Sequence, residues 1–134
     1  AILTEKQEKA TTVNTVITFN GAIATSAITA TDLCVIFGNT LDNAIEACEK
    51  LQTDIKKEIS VVCKCNSGFM FLTISNPVTE NIKIHNNTIQ TTKQDKSNHG
   101  FGLYSHQKIV DKYDGTLALS CVDQIFKCDV TLNL

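Results

Sequence analysis

The chain has 134 residues, enough for one domain with a single core. It is 43% hydrophobic, but its apolar runs are far too short to span a bilayer. A net charge of −2, with acids and bases mixed and no basic stripe, argues against a nucleic-acid footprint. In chain order, residues 2–12 read as the tail of a helix whose start is missing. Val13 to Phe19 alternates with Asn14, Thr15 and Thr18 and reads as a strand. Ala22 to Ile28 is a second, weaker extended segment.

Thr29 or Thr31 can cap a long helix, with Asp32 favourable in its first turn. Cys34, Phe37, Leu41, Ala44, Cys48 and Leu51 follow the three-and-four spacing of one helical face. Asn39, Asn43 and Glu46 stand at i, i+4 and i+7 on a neighbouring face. Asparagine is a poor helix former because its amide competes for the backbone, so two of them one turn apart, beside Asp42, point to a role. Thr25, Thr29 and Thr40 sit where an aliphatic side chain would pack better, and apart from a cap at Thr29 the pattern supplies no reason for them.

Glu58 to Cys65 and Phe69 to Ser75 alternate around Asn66-Ser67-Gly68, a hairpin signal. Pro77 ends the second strand, and residues 77–98 are rich in Asn, Thr, Gln and Lys. A stretch this long inside a small domain is usually functional or disordered. Asn98-His99-Gly100-Phe101-Gly102-Leu103-Tyr104-Ser105 reads as a glycine-rich turn opening a helix, which runs through Ile109, Val110 and Tyr113 to Asp114-Gly115. Glycines at a helix N-terminus let backbone N–H groups approach an anion, and the helix dipole favours negative charge there. Gly115 to Cys121 and Ile125 to Leu132 form a second hairpin. The order α-β-β-α-β-β-loop-α-β-β predicts an α+β fold with helices on one face of a mainly antiparallel sheet.

None of the six cysteines forms a Cys-x-x-Cys pair, and no histidine is spaced to join them in a zinc site. They are expected to be mainly buried free thiols in a reducing compartment, with Cys34 and Cys48 on the apolar helix face. Cys63 and Cys65 point the same way from a strand. Cys121 and Cys128 flank a hairpin and are candidates to lie opposite each other.

An amide and carboxylate face on one helix, with a phosphate cradle opening another, suggests a bound nucleotide and its metal. Here the residues resemble a known family. Asn39-Thr-Leu-Asp42-Asn43-Ala-Ile-Glu46-Ala-Cys48 is similar to the N box of the GHKL superfamily, which includes gyrase B, the heat-shock chaperone, MutL-type repair ATPases and histidine kinases. Asn98-His99-Gly100-Phe101-Gly102-Leu103 resembles its G2 box. The pattern over residues 32 to 132 looks most like the ATP-binding domain of sensor histidine kinases of the peptide quorum-sensing type.

That resemblance implies a two-layer α/β sandwich of Bergerat type over residues 1–134, with residues 77–98 as the ATP lid. It implies ATP and Mg²⁺ as cofactors. Asn43 would coordinate the magnesium ion through its side-chain oxygen, and Asn39 would bond phosphate or metal-bound water. Glu46 and Asp42 are expected to be solvated or structural. Asn76 stands where the superfamily carries the adenine-reading aspartate of Asp-x-Gly-x-Gly, but residues 76–80 here read Asn-Pro-Val-Thr-Glu. An Asn carbonyl still accepts a hydrogen bond from the adenine amino group, and its NH₂ can donate to a ring nitrogen. Gly100 and Gly102 would meet the triphosphate through backbone N–H groups, with Asn98 in place of the box's first glycine, His99 a phosphate-side donor and Leu103 closing the box. Lys93 or Lys96 would reach the phosphates from the lid, Lys93 being the better match.

The resemblance also bears on the reaction. Relatives that activate water or a hydroxyl carry Glu one turn before the metal Asn; this chain has Asn39, and an amide is no general base. No residue here is therefore expected to act as a catalytic base. The implied function is to bind Mg-ATP and present its γ-phosphate to a histidine on a separate dimerisation domain, with a response regulator downstream. His85, His99 and His106 lack the context of the phosphorylated histidine. On this reading the segment is cytoplasmic and monomeric, binds no nucleic acid, and meets a membrane only through segments outside residues 1–134. The alternatives are a stand-alone anti-sigma-type serine kinase and a degenerate nucleotide-binding or interaction module.

Overall fold

The computed structural model describes residues 2–23, 28–51, 57–80, 84–85, 88–89 and 106–134. Helix α1 spans Ile2–Thr11, strand β1 Val16–Gly21 and helix α2 Ala30–Glu49. Strands β2 (Glu58–Asn66) and β3 (Phe69–Pro77) follow, then the short β4 (Ile84–His85) and β5 (Thr88–Ile89). A third helix, α3, is described over 106–112, and β6 (Thr116–Val122) and β7 (Ile125–Asn133) close the chain.

Five strands form one sheet in the order β1-β2-β3-β7-β6. Only β1 and β2 run parallel; the other three pairings are antiparallel. The helices pack on one face, where Ile59, Val61, Cys63, Met70, Leu72, Ile74, Cys128, Val130 and Leu132 alternate inward and are buried. Phe37, Leu41, Ala44 and Cys48 of α2 and Val110 of α3 complete that core. The outward face keeps Phe69 and Phe71 exposed, their rings stacked 6.2 Å apart. This is the expected α+β sandwich.

The hairpins form as the turn residues predict. Ser67 and Gly68 link β2 to β3 with φ of 52° and 84°, and Asp123 and Gln124 link β6 to β7 with φ of 54° and 62°. Two consecutive left-handed residues make the turn whose twist matches the flanking strands.

Two elements differ from expectation. The strand expected from Val13 begins at Val16, because α1 ends in a hydrogen-bonded cap that uses the intervening residues. Thr15 N donates to Ala10 O at 3.0 Å and Asn14 N to Thr11 O at 3.1 Å, with Asn14 left-handed at φ 55°. The extended segment expected over 22–28 is not a strand at its described residues, 22, 23 and 28. Gly21, at φ 110°, turns the chain out of the sheet, and a Cβ there would lie 1.7 Å from Cys63 O. Pro77 ends β3 as expected, and the short β4–β5 pair lies within the segment expected as a lid.

The cysteine expectations also need correction. Cys48, Cys63 and Cys128 are buried, but Cys34 and Cys65 are exposed, and all six are free. Cys34 keeps the angular position of the apolar stripe, seven residues before Leu41, but near the N-terminal end of α2 its side chain is exposed. Cys121 pairs with Phe126 and Cys128 with Leu119, so the two thiols are offset by two residues rather than opposed.

Candidate functional site

The site helix, α2, is fixed on both flanks. Thr29, with backbone at φ −69° and ψ 151°, caps it by accepting from Asp32 N at 3.1 Å. Of the two capping candidates, Thr29 is thereby the cap. Asp32 is buried in the first turn, where its Oδ2 accepts from Lys112 Nζ at 2.8 Å and from Tyr113 Oη at 2.5 Å. The Lys112 and Tyr113 hydrogen bonds hold its carboxyl below the usual carboxylate range against the opposing effect of burial. These residues lie at the end of α3, which closes with Asp114 left-handed at φ 50° and Gly115 N donating to Val110 O at 2.8 Å.

On the other flank, Asp42 accepts from Lys6 Nζ at 2.8 Å and Lys9 Nζ at 3.1 Å, tying α2 to α1. Partial burial pushes the Asp42 carboxyl up, but the two lysines outweigh it and leave it lowered. Asp42 is structural, as expected. Gln7 of the same helix covers the sheet edge, its Oε1 accepting from Ile17 N at 3.0 Å.

Between these two flanks lies the amide stripe. At about 100° per residue, Asn39 and Asn43 fall within about 40° of each other on α2. They lie away from the Phe37, Leu41, Ala44 and Cys48 side that meets the core, and both are half-buried. Among the described residues neither side chain is held by a hydrogen bond. Glu46 continues the stripe and is also half-buried.

Asn76 is on β3, in register with Met70, Leu72 and Ile74 on the helix-facing side, and is 4% exposed. Its Nδ2 donates to Pro77 O at 3.0 Å. Only the NH₂ end can donate to a carbonyl, so this bond sets the amide's orientation and leaves Oδ1 as its acceptor. Helix α2, which carries Asn39 and Asn43, packs on β3, which carries Asn76. Lys93, Lys96, Asn98, His99, Gly100, Gly102 and Leu103 lie outside the described residues, as does Thr25.

The sequence pattern missed one polar pair. His106, 1% exposed, places Nε2 within hydrogen-bonding reach of Thr40 Oγ1 and 2.9 Å from Ile36 O. Thr40 is therefore buried against a histidine rather than an aliphatic. Its only signal was a β-branched hydroxyl at an inward position of a helix.

The oxygen donors of this stripe suit a hard cation. Among the described residues no three His, Cys, Asp or Glu gather as a metal cluster. Magnesium needs no such cage, since it keeps several waters and is commonly held by one or two protein oxygens plus substrate phosphates. A side-chain amide oxygen at Asn43 fits that chemistry.

A family model described as the GHKL domain matches residues 28–133. No curated protein matches the chain. Among solved structures, the chain is similar to the catalytic domain of histidine kinase ThkA, at TM-score 0.72 and 18% identity, covering 98% of this chain and 88% of that one. It also resembles the Acinetobacter baumannii histidine kinase AdeS, at TM-score 0.70 and 14% identity, covering 98% of this chain and 60% of the other. The histidine kinase domain of the Erythrobacter litoralis EL346 blue-light activated histidine kinase aligns at TM-score 0.61 and 14% identity, covering 99% of this chain and 61% of that one. At these identities the likeness is one of fold.

Proposed function

The chain belongs to the GHKL domain family, and from that premise we propose that it binds Mg-ATP and presents the γ-phosphate to a histidine on a separate domain of a sensor histidine kinase. The observation that carries this reading is the amide stripe: Asn39 and Asn43, one turn apart and half-buried, on a helix whose flanks are fixed by Asp32 and Asp42. Asn43 would give its oxygen to the magnesium ion, and Asn39 would bond a phosphate oxygen or a metal-bound water. Asn76 would accept the adenine amino group at Oδ1. Gly100, Gly102 and the flanking Asn98, His99 and Leu103 would meet the triphosphate, with Lys93 reaching it from the lid.

The bound magnesium would neutralise phosphate charge; the chain's own residues would bind and orient. Asn39 cannot remove a proton, so the site offers positioning rather than base catalysis. The histidine nitrogen, supplied from the dimerisation domain, would form the new P–N bond as the β–γ P–O bond breaks and ADP leaves. A serine-kinase reading needs a base where Asn39 stands. The downstream partner would be a response regulator, and the peptide quorum-sensing branch is the proposed subtype. The described helices include none long and apolar enough to cross a membrane.

Calorimetric titration with ATP, with and without Mg²⁺, tests this reading. Binding is expected to depend on magnesium and to be lost in Asn43→Ala. Absence of binding by the intact chain, or equal binding by Asn43→Ala, would overturn it.

A further inference from the structure

We propose that His106 is a positioning residue for the nucleotide site, holding through Nε2 the turn of α2 that carries Asn39 and Asn43. The inference rests on the ATP-binding reading above. A carbonyl only accepts, so the 2.9 Å approach to Ile36 O puts the proton on Nε2, and the Thr40 hydroxyl shares that donor. The imidazole is 1% exposed and Thr40 7% exposed, so both are polar groups inside the core.

Burying an imidazole and a hydroxyl gains nothing over two aliphatic side chains of similar volume, since the polar pair must first be desolvated. What a directional pair adds is registry: the bond forms at one setting of the two helices, whereas apolar contacts such as those of the buried Ile109 and Val110 of α3 carry no direction of their own. The place on the helix is telling. At about 100° per residue, Ile36 and Thr40 border the Asn43 side of the amide stripe, and Thr40 lies between Asn39 and Asn43 along the axis. Two turns earlier, Lys112 and Tyr113 hold Asp32. Helix α3 thus grips α2 at two levels, one at its first turn and one beside the amides.

The test separates registry from stability. His106→Leu and Thr40→Val together replace the pair with an apolar contact, and thermal unfolding should stay at or above the wild-type midpoint. Mg-ATP affinity, read by calorimetry, should nonetheless fall about tenfold, the scale of one lost directional bond. His106→Gln, whose amide nitrogen can take the place of Nε2, should recover most of the affinity, and Thr40→Ser should do the same. If the apolar double variant binds Mg-ATP within about twofold of wild type, or if affinity merely follows the unfolding midpoint and Gln restores nothing, the positioning role is wrong while the ATP site stands. If the wild-type chain binds no ATP, both readings fall.

Discussion

Tyr113 donates its phenolic hydroxyl to Asp32 Oδ2 at 2.5 Å, joining the end of α3 to the first turn of α2 across 81 residues of sequence. Lys112 donates to the same oxygen, and burial leaves the carboxylate little water to turn to. Asp32 was expected to favour the helix dipole; it also anchors one helix to another.

Replacing Asp32 by Asn should therefore destabilise the domain by about 1.5–3 kcal/mol at neutral pH, the range for hydrogen bonds to a charged group. The effect has a defined pH dependence. The folded carboxyl titrates below its unfolded value of about 3.9, so its contribution is complete well above that pH. It is lost as pH falls through the lower folded value. Urea midpoints of wild type and Asp32→Asn should differ most near neutrality and converge below about pH 4. A gap that persists at low pH would mean the carboxylate's charge is not the source.

The α1 anchor should behave differently. Lys6 has 11% of its side chain exposed and Lys9 54%, though both reach Asp42 Oδ1. Lys9→Ala should cost no more than about 0.5 kcal/mol and be masked by salt, as exposed pairs usually are. Lys6→Ala should cost more, because its buried stem is lost along with the pair. Urea unfolding at low and high ionic strength checks both, and equal effects would contradict the difference in burial.

These contacts show where sequence reading reached its limit. The hairpins were legible because Ser67-Gly68 and the polar residues after Val122 carry turn chemistry locally. The long helix was legible from its apolar spacing, and the family resemblance from two short boxes. The start of β1 was not, since Asn14 supports a helix cap as readily as a strand. Nor was the Thr40–His106 pair: a buried threonine has no explanation until a residue 66 positions away is folded against it. The same holds for Lys6 and Asp42, which look like ordinary surface charges until their helices meet.

Thiol reactivity should divide along burial rather than along the sequence. Cys34 and Cys65, both exposed, should be alkylated first in the folded protein. Cys63 and Cys128 should resist: burial, helped by the nearby Cys65, pushes the Cys63 thiol up to about 11, and burial with the nearby Asp129 pushes Cys128 up to about 12. Cys48 is raised in the same direction by burial. Pulse alkylation with mass spectrometry, with and without urea, should show these three protected only while the chain is folded. Early labelling of Cys128 would contradict its place in β7.

Asn76 offers the sharpest test of how the base would be read. In the folded chain its NH₂ is engaged by Pro77 O, so on the proposed reading Oδ1 would be the atom to meet an adenine amino group, as an aspartate would. Asn76→Asp keeps that acceptor but turns a second carboxylate oxygen toward a carbonyl that needs a donor, in a setting 4% exposed. The variant should unfold earlier while still preferring ATP to GTP, whose base presents a carbonyl where adenine has its amino group. Asn76→Leu removes the acceptor outright and should weaken ATP binding by about tenfold or more, with the preference over GTP lost. Titrating both nucleotides into the three proteins separates acceptor loss from destabilisation. Retained ATP preference in Asn76→Leu would move adenine recognition to another residue.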